Sequence, residues 1–122
     1  MLWIVPTLFL TACMSDNVIE KEDNSLPTIS IQSHGDESPI QEGFVEQFRA
    51  QVSDDDADFT ELMVAWYIGE ELVCDWFEAD PAGASYCEMT FLPEDGRVVA
   101  EVRDPQGAGA RDEIVVVVSA TE

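Results

Sequence analysis

The chain has 122 residues, a length that suits one compact domain with short appendages. Its 26 Asp and Glu residues against 5 Lys and Arg give a formal charge of −21. That balance excludes a nucleic-acid partner, whose phosphates are met by Lys and Arg, and excludes docking on anionic lipid through a basic face.

The chain opens on an apolar run, MLWIVPTLFL, over residues 1–10. It is too short to span a bilayer, which needs about 20 apolar residues, but it suits the core of a secretion signal, roughly 7 to 15 residues long. Small Thr11 and Ala12 follow, then Cys13, and the chain turns polar at once in MSDNVIEKEDNS. The stretch Leu-Thr-Ala-Cys resembles the lipobox of bacterial lipoproteins. The resemblance implies a signal peptide over residues 1–12, cleaved so that an acylated Cys13 becomes the first mature residue. Each buried methylene of its acyl chains contributes about 0.8 kcal/mol, so several chains together anchor stably. The partner implied there is a membrane, and the location is the cell envelope: the outer membrane or cell surface, with the periplasmic side as the other option. Met14 stands after the cysteine where an Asp would retain some enteric lipoproteins in the inner membrane. The competing reading of this segment is a buried N-terminal strand with an incidental cysteine.

Residues 13–27 lack periodicity and read as a flexible tether, long enough to hold a domain on the order of 20 Å from its anchor. From residue 28 onward the apolar residues alternate in period two. Ile29 and Ile31 share one face of TISIQS. Phe48, Ala50 and Val52 alternate with Gln47, Arg49 and Gln51 in EQFRAQVSD. Leu62, Val64, Trp66 and Ile68 line one side of ELMVAWYI; Cys87, Met89 and Phe91 line one side of YCEMTFL. Val98, Ala100 and Val102 follow, then Ile114, Val116 and Val118. Between these runs lie Gly-, Pro- and Asp-rich pieces such as SHGDESP, SDDDAD, ADPAGA, PEDG and DPQGAGA. Short alternating strands with such turns predict an all-β sandwich of about seven antiparallel strands over residues 28–122.

The pieces FRAQVSDDD, LMVAWYIGEELVC, SYCEM and VVAEVRDPQGAGARDEIVVVV together resemble bacterial immunoglobulin-like domains of the PKD and cadherin-like kind. The matching positions are Phe48, Ala50, Val52, core Trp66, turn Gly69, and Asp104 with Gly107 before the last strand. The Trp-Asp-Phe-Gly-Asp-Gly signature of the narrower PKD family is missing. The resemblance implies a module that presents a surface, for adhesion, binding or envelope architecture.

Cys74 and Cys87 remain once Cys13 is set aside for acylation. A secreted domain favours an even number, and an oxidising compartment lets them pair, closing a loop whose constraint contributes about 3 kcal/mol. Two thiolates without further Cys or His ligands do not make a zinc site. His34 sits in a polar turn and is expected to face water.

Asp54, Asp56 and Asp58 alternate in DDDAD, like the start of a calcium loop. Phe59 and Ala65 stand where an EF-hand needs Gly and Glu, so that motif fails. The loops after the second and sixth strands of such a sandwich emerge at one end, which would bring these carboxylates near Asp104. Two readings stand: a Ca2+ site built from Asp54, Asp56, Asp58 and Asp104, or a solvated acidic loop. Trp76, Phe77 and Tyr86 lie between the two cysteines and also carry two readings: an exposed aromatic patch for a protein or glycan partner, or cover for the sandwich edge. Nucleophilic catalysis lacks its parts with His34 as the single histidine. A small carboxylate-dependent hydrolase is the enzyme class left to weigh, against the shallow loop surfaces that a sandwich of this size offers.

Overall fold

A computed structural model describes residues 25–120. The apolar leader, Cys13 and most of the tether lie outside the described residues.

Among the described residues, eight strands follow in chain order. β1 is Thr28–Ile31, β2 Ser38–Gln41, β3 Val45–Ser53 and β4 Met63–Ile68, with one 3-10 turn, Phe59–Glu61, between β3 and β4. β5 is Glu71–Glu78, β6 Ala84–Thr90, β7 Arg97–Arg103 and β8 Gly109–Ser119. They form a three-stranded sheet ordered β1-β3-β6 and a five-stranded sheet ordered β2-β8-β7-β4-β5.

The period-two pattern dictates how the sheets face one another. In β3 the side chains of Phe48, Ala50 and Val52 are fully buried, Arg49 and Gln51 between them are partly exposed, and Gln47 before them is exposed. In β4 and β7 the inward set is Val64 and Trp66, then Val98, Ala100 and Val102. These meet Met89 of β6, Ile114 and Val116 of β8, and Leu62 and Phe91 from the connecting segments in one continuous core. Within it Phe48 is tilted against Trp66 and Phe91 at ring-centroid distances of 6.2 and 5.8 Å. Each large apolar side chain fully removed from water there contributes about 2 kcal/mol.

The strand count is eight rather than about seven, and the sandwich is not wholly antiparallel. β2 pairs in parallel with β8, Ser38 opposite Val116 through Gln41 opposite Ser119. β2 is only four residues long and contains Pro39, so it reads as part of a turn; its position is fixed by pairing with a distant strand. The chain therefore crosses from one sheet to the other between β1 and β2.

His34 lies in that crossing, and its surroundings correct the expectation that it faces water. Its ring stacks on Phe48, centroids 4.0 Å apart and planes 22° apart. Its Nε2 lies 3.2 Å from Glu46 Oε1 and its Nδ1 lies 2.8 Å from Ser33 Oγ. Glu46 stands at an inward position of β3, so the imidazole covers one end of the core and engages that carboxylate.

Candidate binding surface at the open edge of the sandwich

Cys74 and Cys87 are joined in a disulfide, as their even number leads one to expect. Cys74 is on β5 and Cys87 on β6, so the bond runs between sheets, with the Cα atoms 6.2 Å apart. The intervening residues are not a loop. They are the ends of two edge strands and the short crossover between them. Asp80 shapes that crossover: its Oδ1 accepts from the N–H groups of Ala82 and Ala84, both at 2.9 Å.

Trp66 reaches across the same gap and donates from Nε1 to Ser85 Oγ at 2.9 Å. Between β5 and β6 the sandwich is otherwise open, leaving a cleft of about 190 Å3. Val64, Trp66, Ala84 and Cys74 supply its floor. Phe77 and Tyr86 stand at its mouth, 72% and 52% exposed. Asp75, Glu78 and Asp80 also line it, and no Lys, Arg or His does.

The three aromatics of the sequence pattern therefore do not form one patch. Phe77 and Tyr86 share the cleft, while Trp76 lies beneath the Arg103 guanidinium, 5.3 Å from ring centroid to Cζ. The cause is local. β5 shifts register twice against β4, between Val64 and Trp66 and between Trp66 and Tyr67. Phe77 pairs with inward-facing Val64, and Trp76 is turned to the outer face. There Arg97 meets Glu113 at 3.4 Å and Arg103 meets Glu101 at 3.2 Å, an exposed ion-pair ladder worth little in stability.

The aspartates of the calcium reading are engaged by backbone. Asp54 accepts from the Asp56 N–H at 2.8 Å, and Asp56 accepts from the Ser25 N–H. Asp58 opens the 3-10 turn, its N–H donating to Glu61 Oε1 at 3.0 Å. Asp104 is buried and organises the turn before β8, accepting from Gln106 and Ala108 N–H groups at 3.0 and 2.9 Å, with Gly107 at φ +94° between them. The Asp54 and Asp104 loops both lie at the end of the sandwich where β4 begins. Among the described residues, no three His, Cys, Asp or Glu side chains gather as a metal-holding group. Asp54 Oδ2 and Asp104 Oδ2 are nevertheless both buried and without a hydrogen-bond partner.

No family model matches this sequence, and no curated protein does. Solved structures do match in shape. Fibronectin(III)-like modules of CbhA from Clostridium thermocellum superpose with a TM-score of 0.66 at 14% identity, covering 79% of this chain and 48% of that one. The chain thus spans about half the length of that structure. An immunoglobulin domain complex of titin M10 with obscurin-like 1 gives 0.54 at 17% identity, covering 80% and 98%. Titin M4 gives 0.55 at 16% identity, covering 79% and 98%. The fold is an immunoglobulin- and fibronectin III-like β-sandwich.

Proposed function

We propose that this chain is a non-catalytic, lipid-anchored module of the cell envelope that presents the edge of a sandwich to a partner. The observation that carries the reading is the bond between Cys74 and Cys87, which ties the two sheets and belongs to an oxidising compartment. An apolar leader ending in Leu-Thr-Ala-Cys supplies a route to such a compartment, and a polar stretch separates Cys13 from β1. The PKD- and cadherin-like pattern is one source of the sandwich, and adhesion, binding or envelope architecture are the roles it suits. The test is detergent-phase partitioning of the protein from its native membrane, with mass spectrometry of its N-terminus. Wild type enters the detergent phase with an acylated Cys13, and Cys13→Ala stays aqueous. Equal membrane retention of both forms would overturn the anchor.

A second reading, a calcium-stabilised module, draws on the two orphaned oxygens of Asp54 and Asp104. A divalent cation held between those loops would neutralise carboxylates that are otherwise costly to bury. With fewer than three side chains gathered, backbone carbonyls and waters would complete its shell.

A further inference from the structure

A β-sandwich has exposed strand edges, and natural sheets blunt them with short strands or bulges. Here the edges are β1 and β6 in the three-stranded sheet and β2 and β5 in the five-stranded sheet. β1 and β2 are four residues each, and β5 carries two register shifts. β6 has neither device. Its seven residues run in unbroken register against β3, from Ala84 opposite Gln51 to Thr90 opposite Val45. Its other side has no partner strand among the described residues, and it borders the cleft that holds the disulfide.

We propose that β6 receives an extended basic peptide segment of a partner protein, which adds a strand to the three-stranded sheet and seats an apolar side chain in the cleft. The proposal deepens the surface-presenting reading above and rests on it. Main-chain hydrogen bonds along an edge give affinity, and pockets for alternate side chains give specificity. A strand laid beside β6 would turn every second side chain inward, onto Phe77, Trp66 and the disulfide. The others would lie on the outer face beside Tyr86 and Glu88, which alternate with inward Cys87.

Charge decides the occupant. Asp75, Glu78 and Asp80 line the cleft with no cationic side chain among its lining, Glu88 stands on β6, and Arg49, opposite Tyr86 on β3, is turned to the Gln32 amide oxygen. A Lys or Arg of the incoming strand would pair with Glu88 or rest on the Tyr86 ring. A second copy of this chain does not fit. It carries a net charge of −21, and its own β6 has no Lys or Arg.

The test uses the full chain with a short synthetic peptide of alternating valine and lysine, read by titration calorimetry and residue-resolved amide hydrogen exchange. A peptide of the same sequence and charge, methylated at alternate backbone nitrogens, cannot pair as a strand and serves as control. The expected result is slowed exchange on Ser85–Thr90 with the unmodified peptide and binding at least tenfold weaker with the control. Glu88→Lys and Phe77→Ala, both at exposed positions, should each weaken binding several-fold while keeping the native near-UV circular dichroism. The proposal is overturned if the methylated peptide binds equally, if protection falls on the acidic loops or another edge, or if both variants bind like wild type. Dimerisation of the chain through β6 without peptide would overturn the choice of occupant. None of these outcomes depends on acylation, so the anchor and the edge fail separately.

Discussion

The Trp66 indole N–H and the Ser85 hydroxyl oxygen, 2.9 Å apart, form a hydrogen bond between side chains of opposite sheets. Trp66 is 1% exposed at the floor of the cleft, so losing that acceptor leaves its donor without a protein partner. Ser85→Ala should therefore cost about 1–3 kcal/mol, the cost of leaving a buried donor unsatisfied. In urea unfolding the midpoint falls while the slope stays the same. A midpoint equal to wild type would mean that solvent reaches the indole.

The disulfide should respond to reductant as a constraint between sheets. Loss of the link, by thiol reductant or by Cys74→Ser with Cys87→Ser, should cost about 3 kcal/mol. For a domain of this size that lowers the melting temperature by roughly 10–20 °C. Thermal unfolding with and without reductant measures it, and the double Ser variant must show no reductant effect.

Asp104 tests the turn before β8. Asp104→Ala removes the acceptor for the Gln106 and Ala108 N–H groups and should cost about 2 kcal/mol. Asp104→Asn keeps an amide oxygen there and should stay within about 1 kcal/mol of wild type in the absence of calcium. If the calcium reading holds, added calcium raises the melting temperature of wild type, and Asp54→Asn combined with Asp104→Asn abolishes the rise. An unchanged wild-type melting temperature in calcium ends that reading.

Gly83 has neither the backbone conformation nor the space for a side chain. Its φ is +87°, and a Cβ there would lie 2.4 Å from Gln51 Nε2 and 3.0 Å from the Phe59 ring. The Gln51 amide also donates to the Ala82 carbonyl at 3.0 Å, so moving it aside breaks a bond. Gly83→Ala should destabilise by about 2 kcal/mol or more, read as a lower denaturant midpoint.

The stack of His34 on Phe48 predicts that His34→Ala uncovers the end of the core. The expected loss is about 1–2 kcal/mol, measured by denaturant unfolding. Glu46→Gln separates the carboxylate's share from the stacking and should cost less.

The core strands were legible because residues such as Phe48, Ala50, Val52, Val64 and Trp66 alternate without interruption, and a strand buried on one face imposes that period. β5 was not named as a strand because its register shifts break the alternation between Cys74 and Phe77. The same shifts put Phe77 on the inward side with Cys74, three residues away, while Trp76, its neighbour in the strand, takes the other face. β2 is set by its long-range parallel pairing with β8, which leaves no local period to read. For His34 the local signal was its polar turn, while the deciding contact is with Phe48 on another strand. The cleft could have been suspected from one hint: Cys74 and Cys87 lie on either side of several aromatic and acidic residues.

The chain passes between the two sheets five times, from β1 to β2, β2 to β3, β3 to β4, β5 to β6 and β6 to β7, and the Cys74–Cys87 bond adds a link of sulfur at the open edge. Cutting the sulfur link leaves those crossings and the shared core in place, so any loosening is confined to the two strand edges, β5 and β6, that border the cleft. The redox state of the surroundings would then set how firmly those two edges are held together, because the clasp lies in the floor of the cleft between them.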